Sequence, residues 1–372
     1  MAMADKLLPL GRVFQPFLSY TVYLRRLIME EVVGLLKQIA PEITATVENR
    51  YTILRSIYFN QPIGRRALSS LLSWPERQLR AEVKELEELG LLRINQQGMK
   101  LTGAGKDMIF KMEHFIYHLR GLSPIAQRIR ELYKCRYVSI VPGNTDEDET
   151  VKLQLGKEAA RYIKKTINDG DIVAVTGGTT MAQIPKAMDK ISGLKDVMVV
   201  PGRGGLGERV EIESNTIAAE LAKKLSAQYR LLYVPDNLSQ ETMESIVNEP
   251  GIREILKIVR RANILLHGIG GAEEIGRRRG LSEQEISKIR KKGAVAEAFG
   301  YYFNKEGKVV HTASSVGLSV TDLKNIRIVI AIAGGANKAP AIRAFLKYHS
   351  PTVFITDEGA ARRLLKLEGG EN

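Results

Sequence analysis

One cysteine in 372 residues, Cys135, excludes an internal disulfide and a cysteine-rich zinc site. Its expected role is packing, and a lone thiol fits the reducing cytoplasm, the expected location. No metal and no cofactor is expected. Long apolar runs are missing too. Leu7 to Met29 comes nearest, but Arg12, Pro16, Arg25 and Arg26 break it well short of a membrane span, so no membrane partner is expected. Repeats and low-complexity tracts are absent. No acid and histidine stand at a spacing diagnostic of general acid–base catalysis. Asp171, Asp236, Glu297 and His267 are the conceivable groups, and His267 reads better as a packed residue at a strand end.

What is present is an ordinary globular composition with one bias. Hydrophobic residues make up 44%, enough for a real core, and the length suits two or three domains. The bias is a net charge of +13, which points to nucleic acid or phosphorylated metabolites, with evenly solvated surface charge as the alternative. The stretch MEEVVGLLKQIAPEI reads as a better protein start than Met1, so residues 1–28 are expected to form an extension. A DNA-binding domain is expected over 29–103, a connecting helix over 104–122 and an effector domain over 123–372.

Residues 63 to 102 carry the parts of a winged helix-turn-helix. A first short helix holds Ala67, Leu68, Leu71 and Leu72. Ser73 is expected to cap the next helix, with Glu76 three residues on completing a capping box and Pro75 in the first turn. In that helix Leu79, Val83, Leu86 and Leu89 form the inward face, while Arg77, Arg80 and Lys84 form a basic one with Gln78 beside them. Arginines near the start of a recognition helix can grip guanine edges bidentately, and phosphates take the remaining positive charge. A wing follows: Leu92 and Ile94 alternate inward, NQQG turns the chain, and Met99 and Leu101 alternate inward on the return, leaving Arg93 and Lys100 outside. Arg65 and Arg66 at the start of the first helix complete the candidate DNA-contacting set. A helical stripe through Met108, Ile109, Met112, Phe115, Ile116 and Leu119 makes the connector.

After Pro124 apolar strands alternate with helices. Strands are expected at 137–141, 172–175, 197–200, 231–234, 264–267, 328–333 and 352–355, giving a mostly parallel sheet covered on both faces. The segment AVTGGTTMAQIPKAM runs from one strand through Gly177, Gly178, Thr179 and Thr180 directly into a helix. Free backbone N–H groups and a helix dipole there favour an anion, so a phosphate is the expected guest. The loop lacks the lysine and spacing of a nucleotide-hydrolysing P-loop and is not the G-x-G-x-x-G fingerprint. A second junction, AGGANKAP, repeats the pattern with Lys338 at the helix start. Arg203 stands among glycines, Arg278 lies in a run of three arginines, and Glu297 suits sugar hydroxyls. On a parallel sheet these junctions share the carboxyl edge, where ligands bind.

These segments, with GRGGLGERVEIESNTIAAE, HGIGGAEE, EAFGYYFN and TDEGAARRLL, resemble the SorC family of sugar-responsive bacterial transcriptional regulators, and within it the branch that controls central glycolytic genes. The likeness runs from about Met29 to the C-terminal region. It implies an α/β chain in which an N-terminal winged helix-turn-helix joins a larger, doubly wound, mostly parallel-sheet effector domain similar to sugar-phosphate isomerases and deaminases. It further implies a repressor of a glycolytic operon that fructose 1,6-bisphosphate releases from double-stranded operator DNA, working as a homodimer or homotetramer without chemistry of its own. By the same resemblance Thr179, Thr180 and Lys338 hold one phosphate, Arg203 and Arg278 contact the ligand toward its other end, and Glu297 contacts the sugar. Glu213 departs from the glutamine expected at its place. A carboxylate is poorly placed beside a phosphate, so it faces a hydroxyl or the second phosphate site differs. The competing readings are an isomerase or deaminase bearing an extra domain, and a sensor of another phosphosugar.

Overall fold

Apolar side chains spaced at helical intervals between Tyr51 and Leu119 meet in one core, and those of the chain beyond Leu122 meet in others. The structure, a computed structural model, describes residues 28–205, 209–235 and 239–370 and divides into two units at 122/123. The expected extension, up to residue 27, lies outside the described residues.

The first unit begins with α1 (residues 28–39) and α2 (Pro41–Asn60), followed by α3 (Arg65–Leu72), α4 (Glu76–Glu88), the hairpin β1 (Leu92–Asn95) and β2 (Gly98–Leu101), and α5 (Gly103–Leu119). Leu68 from α3 and Leu79, Val83 and Leu86 from α4 are fully buried, and they join Ile57 of α2, Leu92 and Met99 of the wing and Ile109 and Ile116 of α5. The residues read as a connector are thus part of this unit's core. In the wing Leu92 faces Leu101, Arg93 faces Lys100 and Ile94 faces Met99, and Ile63 bridges to Met99 on the other side. Gly98, at φ +126, lies against the Ile63 backbone, where a Cβ would come within 2.8 Å.

Three expectations for this unit change. Ser73 is not the N-cap of α4: it sits at φ 53 as the C-cap of α3, its N–H donating to Ser69 and Ser70 carbonyls, and Pro75 precedes α4 with no side-chain cap. The turn needs those residues to reverse direction, and Pro75 keeps the residue before it extended. Leu89 is exposed because α4 ends at Glu88 and the chain turns away at Gly90, φ +72. Ile94 is also exposed. Strand alternation places it inward, but the wing tip extends past the core and Ile63 covers Met99 instead.

The second unit runs through α6 (Leu122–Tyr133), β3 (Tyr137–Val141), α7 (Thr150–Thr166), β4 (Ile172–Val175), α8 (Gln183–Ala187), β5 (Met198–Pro201), α9 (Ser214–Leu225), β6 (Gln228–Tyr229), α10 (Gln240–Asn248), α11 (Pro250–Val259), β7 (Ile264–Gly268), β8 (Gly270–Gly271), α12 (Ala272–Arg278), α13 (Glu283–Lys291), β9 (Ala294–Ala298), β10 (Tyr301–Asn304), β11 (Val309–Thr312), β12 (Ile328–Ile332), α14 (Ala339–Tyr348), β13 (Val353–Asp357) and α15 (Glu358–Gly369). Among the described residues seven strands form one sheet in the order β3-β13-β12-β7-β4-β5-β6, every pairing parallel. Strands β12, β13 and most of β4 and β5 are buried along their length, as strands covered on both faces must be. Strand order reverses between β4 and β7. From β4 the chain steps outward to β5 and β6, and from β7 it steps the other way to β12 and β13. Such a switch point opens a crevice at the carboxyl ends of the strands.

The expected strand at 231–234 does not form. The edge strand is the two-residue β6, and Leu232 and Val234 are buried instead beside α10 and α11 residues, with the Leu232 N–H donating to the Asn215 side chain rather than to a neighbouring strand. A four-stranded antiparallel sheet, β11-β10-β9-β8, was not anticipated. Its strands are short, β9 is alanine-rich and β8 has only two residues, so no period of two emerges from the sequence.

Gly105 gives the sharpest test of the first unit. It lies in the first turn of α5, where Thr102 caps, and a Cβ there would collide with the Leu91 carbonyl oxygen. Helix propensity alone makes Gly105→Ala stabilising by about 1 kcal/mol. The clash should reverse the sign and cost roughly 1–3 kcal/mol, read as a lowered denaturant midpoint of this unit.

Candidate effector-binding site

The carboxyl edge of the parallel sheet at the β4/β7 switch point holds a cleft with about 110 Å³ open to the centre of a water molecule. Residues after β4, β5, β7 and β12 and from α12 and β9 line it, and Gly177, Gly178, Thr179, Thr180, Arg203, Glu213, Arg278, Glu297 and Lys338 are all among them. The structure therefore brings every sequence-selected effector residue to one place. Apolar walls that the sequence did not mark come from Met181, Ile212, Ile275, Phe299 and Ile332.

At the β4 exit the Thr176 hydroxyl accepts from the Gly268 N–H, tying the two diverging strands together. A Cβ on Gly177 would meet the Ile212 carbonyl at 2.8 Å, and Gly178 sits at φ +136 with its N–H donating to that same carbonyl. Glycine is required at Gly177 by this close approach and at Gly178 by its positive φ. Contrary to expectation, the helix does not follow at once. Thr179 to Ala182 form turns, and α8 is a five-residue segment containing Pro185. What favours an anion is therefore a nest of turn amides rather than a long helix dipole. No described residue accepts from the backbone N–H of Thr179 or Thr180.

The second glycine junction is also corrected. Three of its amides are not open to a ligand: Gly335, Ala336 and Asn337 donate to Asp357, Asn144 and Asp146. From this junction Gly334 and Lys338 line the cleft, the Lys338 Nζ lying 3.9 Å from a Glu274 oxygen.

On the other side of the switch point Arg203 and Arg279 are buried around Glu297. The Glu297 Oε1 accepts from Arg279 Nη2 at 2.7 Å and from the Gly300 N–H at 2.5 Å, and Arg203 Nη1 lies 3.6 Å away. The Arg203 Nε donates to Ser315, and Gly300, φ +80, leaves room for the guanidinium. Glu297 is thus not simply a carboxylate for sugar hydroxyls, because one of its oxygens is committed to protein donors. Arg278 and Arg279 both line the cleft, but Arg279 is the buried member that pairs with Glu297, and sequence reasoning missed it. Three consecutive arginines offered no signal to separate them. Glu213, just before α9, presses its carboxylate toward Gly205.

His267 does not line the cleft. It is fully buried at the end of β7 between the Phe299 and Phe345 rings, 4.4 and 4.9 Å away, and burial pushes its pKa down to about 3. A neutral, enclosed imidazole is a packing residue and no general base.

In the first unit Arg65, Arg66, Arg77, Gln78, Arg80, Lys84 and Arg93 are exposed and Lys100 is partly so. Arg80 and Lys84 make only loose pairs with Glu76 and Glu88 at 3.6 and 3.5 Å. Such exposed pairs are weak, so phosphates can displace them.

Comparison with known proteins agrees with this division. The model of the CggR N-terminal DNA binding domain matches residues 46–116, and Sugar-bind, the family of sugar-binding domains, matches 117–366. The chain is 41% identical over 340 residues, 91% of its length and 100% of the relative's, to the central glycolytic genes regulator of Bacillus subtilis. It is 40% identical over 339 residues, 91% of its length and 99% of the relative's, to that of Priestia megaterium. A solved SorC family transcriptional regulator from Enterococcus faecalis superposes with a TM-score of 0.62 at 39% identity over 65% of this chain and 100% of that one.

Two outcomes test the site's energetics. Glu297→Ala removes the carboxylate between two buried arginines and should cost about 3–5 kcal/mol in urea unfolding of the second unit. His267 has a lower folded than unfolded pKa, so the unfolded chain takes up the proton first as pH falls. Stability should decline from pH 6.5 toward 3, and His267→Asn should flatten that slope of the urea midpoint. With the DNA-binding and sugar-binding matches both in place, the chain belongs to the SorC family of sugar-binding transcriptional regulators, in the branch of the central glycolytic genes regulators, and is a regulator rather than an enzyme.

Proposed function

We propose that this chain represses a central glycolytic operon in the cytoplasm and leaves its operator when fructose 1,6-bisphosphate enters the cleft. The observation that carries the reading is the pairing of two separate anion-seeking groups in one crevice. The Thr179–Thr180 turn and Lys338 come from the β4 and β12 exits, and Arg203 with Arg278 and Arg279 come from the β5 exit and the end of α12. A ligand with two anionic groups satisfies both; a monophosphate satisfies one. The names of the Bacillus and Priestia relatives support the glycolytic assignment.

Regulation needs no bond chemistry. An effector that binds two conformations of the chain unequally shifts their populations, and operator DNA must oppose it by the same factor. Paired half-sites require at least a homodimer, and long operators a tetramer. A sensor of a different phosphosugar is the second reading, favoured by the Glu213 carboxylate in the cleft lining, which repels a phosphate placed beside it.

A ligand that binds only the folded state raises its melting temperature. Across a panel of sugar mono- and bisphosphates, the largest shift is expected with fructose 1,6-bisphosphate. A larger shift with a pentose or hexitol phosphate would transfer the assignment to that ligand. Thr179→Ala with Lys338→Ala should retain operator binding in a mobility-shift assay and lose release by the effector. Arg77→Ala with Arg80→Ala should do the opposite, losing about 1–3 kcal/mol of operator affinity for each base contact removed.

A further inference from the structure

Lys338 is the cleft's lysine, yet nothing in its own loop explains why the loop holds its shape. The short helical turn Ala336–Lys338 is only one turn long, and Gly335 precedes it at φ +103. Both features leave the loop with little intrinsic preference for one conformation. Its backbone is fixed from outside. The Asp357 Oδ2 accepts from Gly335 at 2.8 Å, the Asn144 Oδ1 accepts from Ala336 at 3.2 Å, and the Asp146 Oδ2 accepts from Asn337 at 2.8 Å. Three successive amides are thus held by three side chains, two from the loop after β3 and one from the end of β13.

The clamp is itself braced. Asp357 accepts from Thr145 at 2.8 Å with the same oxygen that holds Gly335, and its other oxygen caps α15 through Ala360. It is completely buried, and burial raises its pKa against the pull of those amides. Asn144 also accepts from Asp146 and packs on Gly359, where a Cβ would lie 2.5 Å from the carboxamide carbon. At Gly334 and Gly335 a Cβ would meet Asp357 and Asp146 oxygens at 2.6 and 2.5 Å. The two glycines are therefore explained by the approach of carboxylates, not by the approach of a ligand.

Asp146 puts a negative charge beside the loop that bears Lys338, which opposes an anion nearby, and its hydrogen bond to Asn337 is the role that accounts for it there. We propose that Asn144 and Asp146, on the loop after β3, are positioning residues for the effector site: they hold the 335–337 backbone so that Lys338 presents its ammonium to the cleft. The role is indirect, and neither residue lines the cleft. It rests on the reading of the cleft as a phosphosugar site.

The experiment uses the full chain. Hydrogen exchange without ligand should show the Ala336 and Asn337 amides protected in the native protein, with Asn337 exposed in Asp146→Ala and Ala336 in Asn144→Ala, while Asp146→Asn, which keeps an acceptor oxygen, retains protection. Calorimetric titration with fructose 1,6-bisphosphate should give Asp146→Ala a roughly three- to tenfold loss of affinity, the size of one net hydrogen bond, and Asp146→Asn a smaller one. In a double-mutant cycle the Asp146→Ala loss should vanish in a Lys338→Ala background, because a residue acting through Lys338 has nothing left to position. A merely structural role would add its cost in either background. Fast exchange of both amides in the native protein would overturn the clamp, and additive losses would overturn the positioning role alone. A native protein that binds no phosphosugar would overturn the phosphate reading and this assignment with it.

Discussion

Everything at the candidate site follows from the point where β4 and β7, neighbours in the sheet, send the chain in opposite directions. Neither exit can be covered by its own crossover, so backbone donors face an open crevice. Thr176 joins the two exits by accepting the Gly268 N–H, and the glycine pair that follows lets the chain pass under Ile212. The result is a nest of amides with no long helix behind it. Its attraction for an anion comes from donors aimed at short range, supplemented by cations from other strands.

Those cations are positioned by acceptor side chains from other elements, of which Glu297 and Asp357 are buried. Glu297 gathers Arg279 and lies close to Arg203, while Asp357, Asn144 and Asp146 hold the loop that ends at Lys338. Positive groups aimed into one cleft repel each other and would otherwise turn to solvent. Acids behind them fix their direction without cancelling the attraction that an incoming anion meets. The same principle explains why some expected ligand groups have become scaffold: the second glycine pair serves the clamp, and an oxygen of Glu297 serves the arginines.

The DNA-binding unit separates its tasks by face. Leu79, Val83 and Leu86 of α4 are buried with Leu68, whereas Arg77, Gln78, Arg80 and Lys84 remain in solvent. A helix with one apolar and one basic face can be held by its domain and still enter a groove. The wing works similarly, with Met99 buried under Ile63 and Arg93 opposite Lys100 on the exposed side.

Much of this was legible in the chain. Continuous apolar runs identified most strands of the parallel sheet, because strands buried on both faces admit few polar residues. Helical spacing identified α4 and its basic face, and strand-to-glycine junctions identified the residues of the cleft. Other features needed the fold. The end of α4 at Glu88 exposed Leu89, and Asn215 satisfied the Leu232 backbone without a strand. The choice of Arg279 over its two neighbours, and the occupation of the Gly335 to Asn337 amides by side chains about 20 and 190 residues away in sequence, also required it. Local periodicity reports which face of an element is buried, since that depends on neighbours three or four residues apart. Which polar groups bind one another depends on contacts between distant strand exits, and only the assembled sheet brings those together.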